Sequence, residues 1–140
     1  VPLFYIGAFL FTDILLVYCF FVLGVVSVSC LIINLESGLP AVDVALSRLS
    51  QGLRSAKASR TKAVKVIHGY GSGGTGGAIK AGLHRFLTEK KRAGYISDFV
   101  RGEDFSPFSS SARQALLKCP FLTRDQDYAK GNPGITIIVL

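Results

Sequence analysis

The chain has 140 residues, enough for one domain with a true core but not two. Its formal net charge is +7 and its pI is about 9.6. Residues 1–30 hold one charged residue, Asp13, so removing its −1 leaves +8 on residues 31–140. Such a surface attracts polyanions, of which nucleic acid and anionic lipid headgroups are the obvious ones. Three cysteines, Cys19, Cys30 and Cys119, make neither a disulfide scaffold nor a zinc-binding spacing, and their sparse, odd count suits a reducing compartment.

Residues 1–33 are almost wholly apolar and raise the mean hydropathy of the chain to +0.42. No charge interrupts Ile14 to Ile33, a length that fits a bilayer-spanning helix. A signal peptide fits less well, because the start lacks Lys and Arg. If the segment spans, the basic residues that follow it place the domain in the cytoplasm. The competing reading is a non-native N-terminal extension. The chain contains no methionine, so it is expected to be a processed form, a fragment or a translation lacking its true start. Residues 1–30 are therefore set apart from a domain at 31–140, which is expected to fold without them.

Leu31–Leu35 reads as a buried strand that ends in the turn signal Glu36-Ser37-Gly38-Leu39-Pro40. From Ala41 to Lys57, Val42, Ala45, Leu46, Leu49 and Leu53 recur at helical spacing, and Pro40 suits the first turn. Ala58–Lys62 is a basic loop. Ala63–Ile67 is a second strand, apolar apart from Lys65. Residues 68–77 follow, and six of these ten are glycine. A second helix over Ala78–Lys91 carries Ile79, Leu83, Phe86 and Leu87 on its apolar face. Tyr95–Val100 reads as a strand, Ser110–Lys118 as a short inserted helix and Thr123–Asn132 as a loop. Gly134–Leu140 is the closing strand. The expected fold is α/β: a two-layer sandwich on a mixed sheet, in β-α-β-α-β-β order plus the inserted helix.

The glycine tract joins a strand to a helix. Glycines let backbone amides turn outward, and the helix start adds free amides and a positive dipole end. Together they form a cradle for phosphate, the alternative being a flexible connector. The tract is neither a P-loop, since no GK[ST] closes it, nor a good dinucleotide fingerprint, since Gly69–Gly74 runs GxGxGG and no acidic strand end follows. His68 stands at the strand's C-terminal end, where α/β ligand sites lie. It is a candidate phosphate ligand or general acid/base, against a structural histidine bonded to a nearby carbonyl. Arg60, Lys62, Lys65, Lys80, His84, Arg85, Lys90, Lys91 and Arg92 form the candidate phosphate-contacting surface, and Tyr70 a platform on which a base can stack. Glu103 and Asp104 read as a solvated turn, because adjacent acids seldom share a metal.

The run IHGYGSGGTGGAIKAGLHRFL resembles the signature of the Smr (small MutS-related) family, a His-Gly-x-Gly turn before a glycine-bearing loop and a basic helix start. GITIIVL after Asn132-Pro133 resembles that family's closing strand, and LPAVDVALSRL its first helix. The resemblance covers residues 31–140. It implies a compact α/β sandwich, similar to the C-terminal domain of bacterial translation initiation factor three, that binds DNA or RNA. Several family members nick nucleic acid. The resemblance carries over His68, Gly69, Gly71 and Lys80; with Tyr70, Gly73, Gly74, Thr75 and Arg85 from the reading of the residues, the expected nucleic-acid contacts are Gly69, Tyr70, Gly71, Gly73, Gly74, Thr75, Lys80 and Arg85, and the catalytic candidates are His68 and Glu36. Many active members open with Leu-Asp-Leu-His, whereas this chain has Ile33-Asn34-Leu35-Glu36. The expected function is therefore nucleic-acid binding. An endonuclease is the alternative, and a membrane-tethered adaptor with its basic face on lipid is a second. No small-molecule cofactor is expected, and a need for a divalent metal stays open.

Overall fold

A computed structural model of the chain describes residues 30–70 and 76–140. Four strands, β1 (Cys30–Asn34), β2 (Ala63–Ile67), β3 (Asp98–Arg101) and β4 (Ile135–Val139), form one sheet in the order β1-β2-β4-β3. β1 and β2 are parallel, and β4 runs antiparallel to both β2 and β3. The helices are α1 (Val42–Ala58), α2 (Gly76–Arg92) and α3 (Ser110–Lys118). The α/β class, the mixed sheet and the order of elements are those expected. The apolar head lies outside the described residues, and among the described ones no helix is long and apolar enough to cross a membrane.

Side chains on a strand alternate between faces, and each face of this sheet has its own core. Val64, Val66 and Ile138 meet Ala45, Leu49, Leu53, Leu83 and Leu87 of α1 and α2. Ala63, Val100, Ile137 and Val139 point the other way, onto Phe105, Leu122 and the buried Ala112 and Ala115 of α3. The inserted helix thus adds a third layer to the two expected. Burial on both faces explains why β2 and β4 read as nearly unbroken apolar runs rather than alternating ones. β1 lies at the edge of the sheet, and its Ile32 is exposed.

Boundaries shift slightly from those read off the sequence. Helix α1 begins after Ala41, so Pro40 precedes the first turn instead of occupying it. Both long helices end in a Schellman motif. In α1 the amides of Arg60 and Thr61 bond back to the carbonyls of Lys57 and Ala56; in α2 those of Gly94 and Tyr95 bond to Lys91 and Lys90. The left-handed residue is glycine in the second case (Gly94, φ 73°) and arginine in the first (Arg60, φ 55°).

One basic residue is misplaced by the sequence. Lys65 is only 2% exposed and faces the α3 side of the sheet. Its ammonium lies 2.7 Å from Asp125 and 2.5 Å from Asp127, while Asn132 donates to Asp127. Lys65 is therefore a strut between β2 and the segment before β4, and cannot belong to a phosphate-contacting surface. A lone charge on a buried strand needs a partner, and the Asp-x-Asp turn supplies two.

Candidate nucleic-acid interface

The C-terminal ends of β1 and β2 lie side by side, with Asn34 paired to Ile67. The chain beyond each strand therefore emerges at one edge of the domain. After β1, the Asn34 side-chain oxygen accepts hydrogen bonds from the amides of Glu36 and Ser37, and Arg48 of α1 donates to the Ser37 carbonyl. This turn holds Glu36 over the next one. Gly69 has φ 75°, and a β-carbon there would lie 2.7 Å from a Glu36 carboxylate oxygen. Glycine is required here both for its backbone conformation and for the room taken by Glu36. Glu36, which follows β1, is thus a neighbour of Gly69, the residue after His68.

His68 has no exposed surface. Its Nδ1 lies 3.1 Å from the Gly69 carbonyl and its Nε2 3.0 Å from the Thr136 hydroxyl, which is itself 3.3 Å from Nε2 of His84. A carbonyl only accepts, so Nδ1 carries the proton and Nε2 of the neutral ring accepts from Thr136. The threonine oxygen in turn accepts from Nε2–H of His84. Burial is the main influence on both imidazoles and lowers both pKa values. For His68 the Gly69 and Ile135 carbonyls and the Glu103 charge oppose the fall, and Lys80 adds to it. For His84 the charges of Arg101, His68 and Lys80 add to burial, against Glu103, and the pKa falls to about 4. Both rings are neutral at pH 7. A phosphate ligand or acid/base needs a ring nitrogen facing the site, and both nitrogens of His68 are bonded within the protein. That arrangement is the structural role weighed against the catalytic one.

Of the remaining candidates, Tyr70 and Lys80 lie near this turn. Tyr70 is 69% exposed, and its ring approaches the backbone of Gly134. Gly71, Gly73, Gly74 and Thr75 lie outside the described residues. Lys80, one turn into α2, donates to Glu103 at 2.9 Å and to the Pro133 carbonyl at 3.1 Å. Partial burial favours the protonated Glu103, but the bond from Lys80, a backbone amide and the nearby Lys80 and His84 charges outweigh it and hold the carboxyl below its ordinary range. Glu103 is thus the partner of Lys80, a role not legible in its turn sequence. Arg85 is exposed on the same helix. Thr136 was missed as a part of the site, and His84, expected on the phosphate-contacting surface, instead bonds inward to Thr136. The available signal was one hydroxyl inside an otherwise apolar strand. Among the described residues no group of three His, Cys, Asp or Glu could hold a metal ion.

Residues 38–104 match the family model described as the Smr domain. Over these residues the chain is similar to the Smr domain. The match spans the turn after β1, both long helices, the His-Gly turn and β3. The chain is also similar to the solved Smr domain of Thermus thermophilus MutS2, at 20% identity and a TM-score of 0.47, over 81% of this chain and 98% of that one. No curated protein matches it. The Asn34–Glu36 segment precedes the matched region, and α3 and β4 follow it.

Proposed function

We propose that this Smr-like domain binds nucleic acid at the edge where the His-Gly turn leads into α2. The observation that carries the proposal is convergence. The turn after β2, the start of α2, Lys80 and the exposed Tyr70 ring meet at one end of a domain whose residues 31–140 carry +8. Helix-start amides and a lysine suit a phosphate, and an exposed aromatic ring suits an unpaired base. His68 serves by position: its bonds to Gly69 and Thr136 tie the turn to β4. Titration of labelled DNA and RNA, duplex and single-stranded, tests the reading. Affinity should fall steeply with salt, and Tyr70→Ala should weaken single-strand binding by roughly 1–3 kcal/mol. Absence of binding to every form at low salt would overturn it.

An endonuclease is the second reading, favoured by one contact, the Glu36 carboxylate against Gly69. Glu36 is exposed and is the base that the geometry offers, since His68 has no open nitrogen. Cleavage, where found, should fall by about two to four orders of magnitude in Glu36→Gln. Cleavage untouched by that change would place the chemistry elsewhere.

A further inference from the structure

The basic residues that the sequence grouped into one surface divide between two ends of the domain. α1 and α2 each lie between a strand end at the His-Gly edge and a loop at the opposite edge. Lys80 is near the first edge, whereas Lys90 is ten residues, or about 15 Å, further along α2. Along β2 the separation is similar: Lys62 and His68 are six residues, or about 20 Å, apart.

At the second edge the C-terminal turns of α1 and α2 meet at Tyr95. The Lys57 ammonium lies 3.9 Å from the ring centroid and that of Lys90 4.9 Å from it. Two ammoniums converge on one ring, and among the described residues neither has a carboxylate within ion-pair distance. Arg54, Arg60 and Arg92 are exposed around them. Glu89 is the acid of this region of α2, and Asp98 is taken by Lys91 at 2.8 Å.

Cations at helix C-termini are favoured by the helix dipole, which alone would account for some of them. Two observations go beyond that. Lys57 and Lys90 are both held over the Tyr95 ring, which concentrates positive charge where the ends of the two helices meet. Arg60 occupies the left-handed residue of a Schellman motif, a position where glycine costs less, so a charge stands there against a conformational penalty. The exposed Arg85 lies between the two edges, seven residues and two turns from Arg92.

We infer that the Lys57–Tyr95–Lys90 cluster, with Arg60, is a second phosphodiester-binding site, so that one nucleic-acid backbone is held at both ends of α2. This rests on the nucleic-acid reading above. The ligand is a backbone rather than a base, because the edge offers ammonium and guanidinium donors while Tyr95 is covered by lysines. A lipid surface is the poorer fit: no large apolar side chain is exposed on the last turns of α1 and α2 or in the loops after them. At about 3.4 Å per step of a strand, the span of 15–20 Å corresponds to about five or six nucleotides.

The experiment uses the full chain and labelled duplexes of 4 to 16 base pairs, with affinity measured against salt. In the wild type, affinity should rise sharply once the duplex spans both edges. Lys57→Gln combined with Lys90→Gln should abolish that rise and reduce the salt slope by about 1.8, at about 0.9 per lost phosphate contact. Arg60→Gly should raise thermal stability yet reduce the slope by about 0.9, which a purely structural arginine would not do. If the folded double variant keeps the wild-type slope while Tyr70→Ala still weakens single-strand binding, the second site is wrong and the first reading stands. If the wild type binds no nucleic acid, the first reading fails and takes the inference with it. If the double variant loses binding to phosphatidylserine vesicles but not to duplex, the cluster is a lipid site and the inference is overturned.

Discussion

Lys65 shows how the neighbourhood of one residue sets its role. Desolvation opposes its charge, yet the hydrogen bonds and charges of Asp125 and Asp127 more than compensate, and its pKa is raised. The bond from Lys65 is the main cause of the lowered Asp127 pKa, helped by Asn132 against partial burial. Removing one member of such a cluster leaves charge without compensation. Lys65→Met should therefore destabilise the domain by roughly 3 kcal/mol in urea denaturation. Replacing Asp125 and Asp127 by asparagine in the same variant should recover part of that loss, since the stranded carboxylates are then gone. A Lys65→Met variant as stable as the wild type would mean that the ion cluster contributes nothing net. In sequence Lys65 was indistinguishable from a surface lysine, because its partners lie 60 and 62 residues away.

At the scale of elements, the turn between β1 and α1 decides where Glu36 stands. The motif expected from the resemblance has aspartate where this chain has Asn34, and the Asn34 oxygen caps two amides that the end of the strand leaves free. An amide oxygen performs that task as a carboxylate oxygen would, so the change to asparagine leaves the architecture of the turn in place. Asn34→Ala should cost about 1–2 kcal/mol in thermal or urea unfolding, while Asn34→Asp should be close to neutral. Equal losses for both would show that the amide group, and not the accepting oxygen, holds the turn. The helices themselves were legible from their apolar spacing, with ends displaced by one or two residues. The third layer was not. Nothing in Ser110–Lys118 says which face of the sheet it covers.

For the whole molecule, the pH dependence of stability follows from the buried imidazoles. The folded pKa of His84 is about 4, below the ordinary 6.5, and that of His68 is also lowered. Below 6.5 the unfolded chain takes up protons that the folded one refuses. Their stabilising effect is thus complete above pH 6.5 and is lost as pH falls toward 4. The groups facing His84 are Arg101 of β3, Lys80 of α2, His68 and Glu103, three of which oppose its protonation. Further loss below about pH 4 comes from Glu103 and Asp127, whose lowered pKa values make them stabilising only when ionised. Denaturation midpoints measured from pH 8 to 3 should show both phases. His84→Gln, whose amide can still donate to Thr136, should flatten the first. An unchanged first phase in that variant would assign the decline to His68 alone.

The sequence by itself determined the α/β class, the order and approximate limits of the elements, the placement of the glycine tract between strand and helix, and the charge. These depend on neighbours in the chain: periodicity of two or 3.6, glycine at turns, and charge that is additive wherever it falls. The tertiary structure decided the rest, because contact between distant segments is not written in local pattern. It buried Lys65 against an Asp-x-Asp turn, closed the two nitrogens of His68 on Gly69 and Thr136, gave Lys80 a partner in Glu103 and brought Glu36 onto Gly69. It also drew one basic surface apart into two edges. The two ends of a strand or helix are close in sequence, but each residue adds about 3.3 Å or 1.5 Å of rise, so a run of like charges becomes a pair of separate sites.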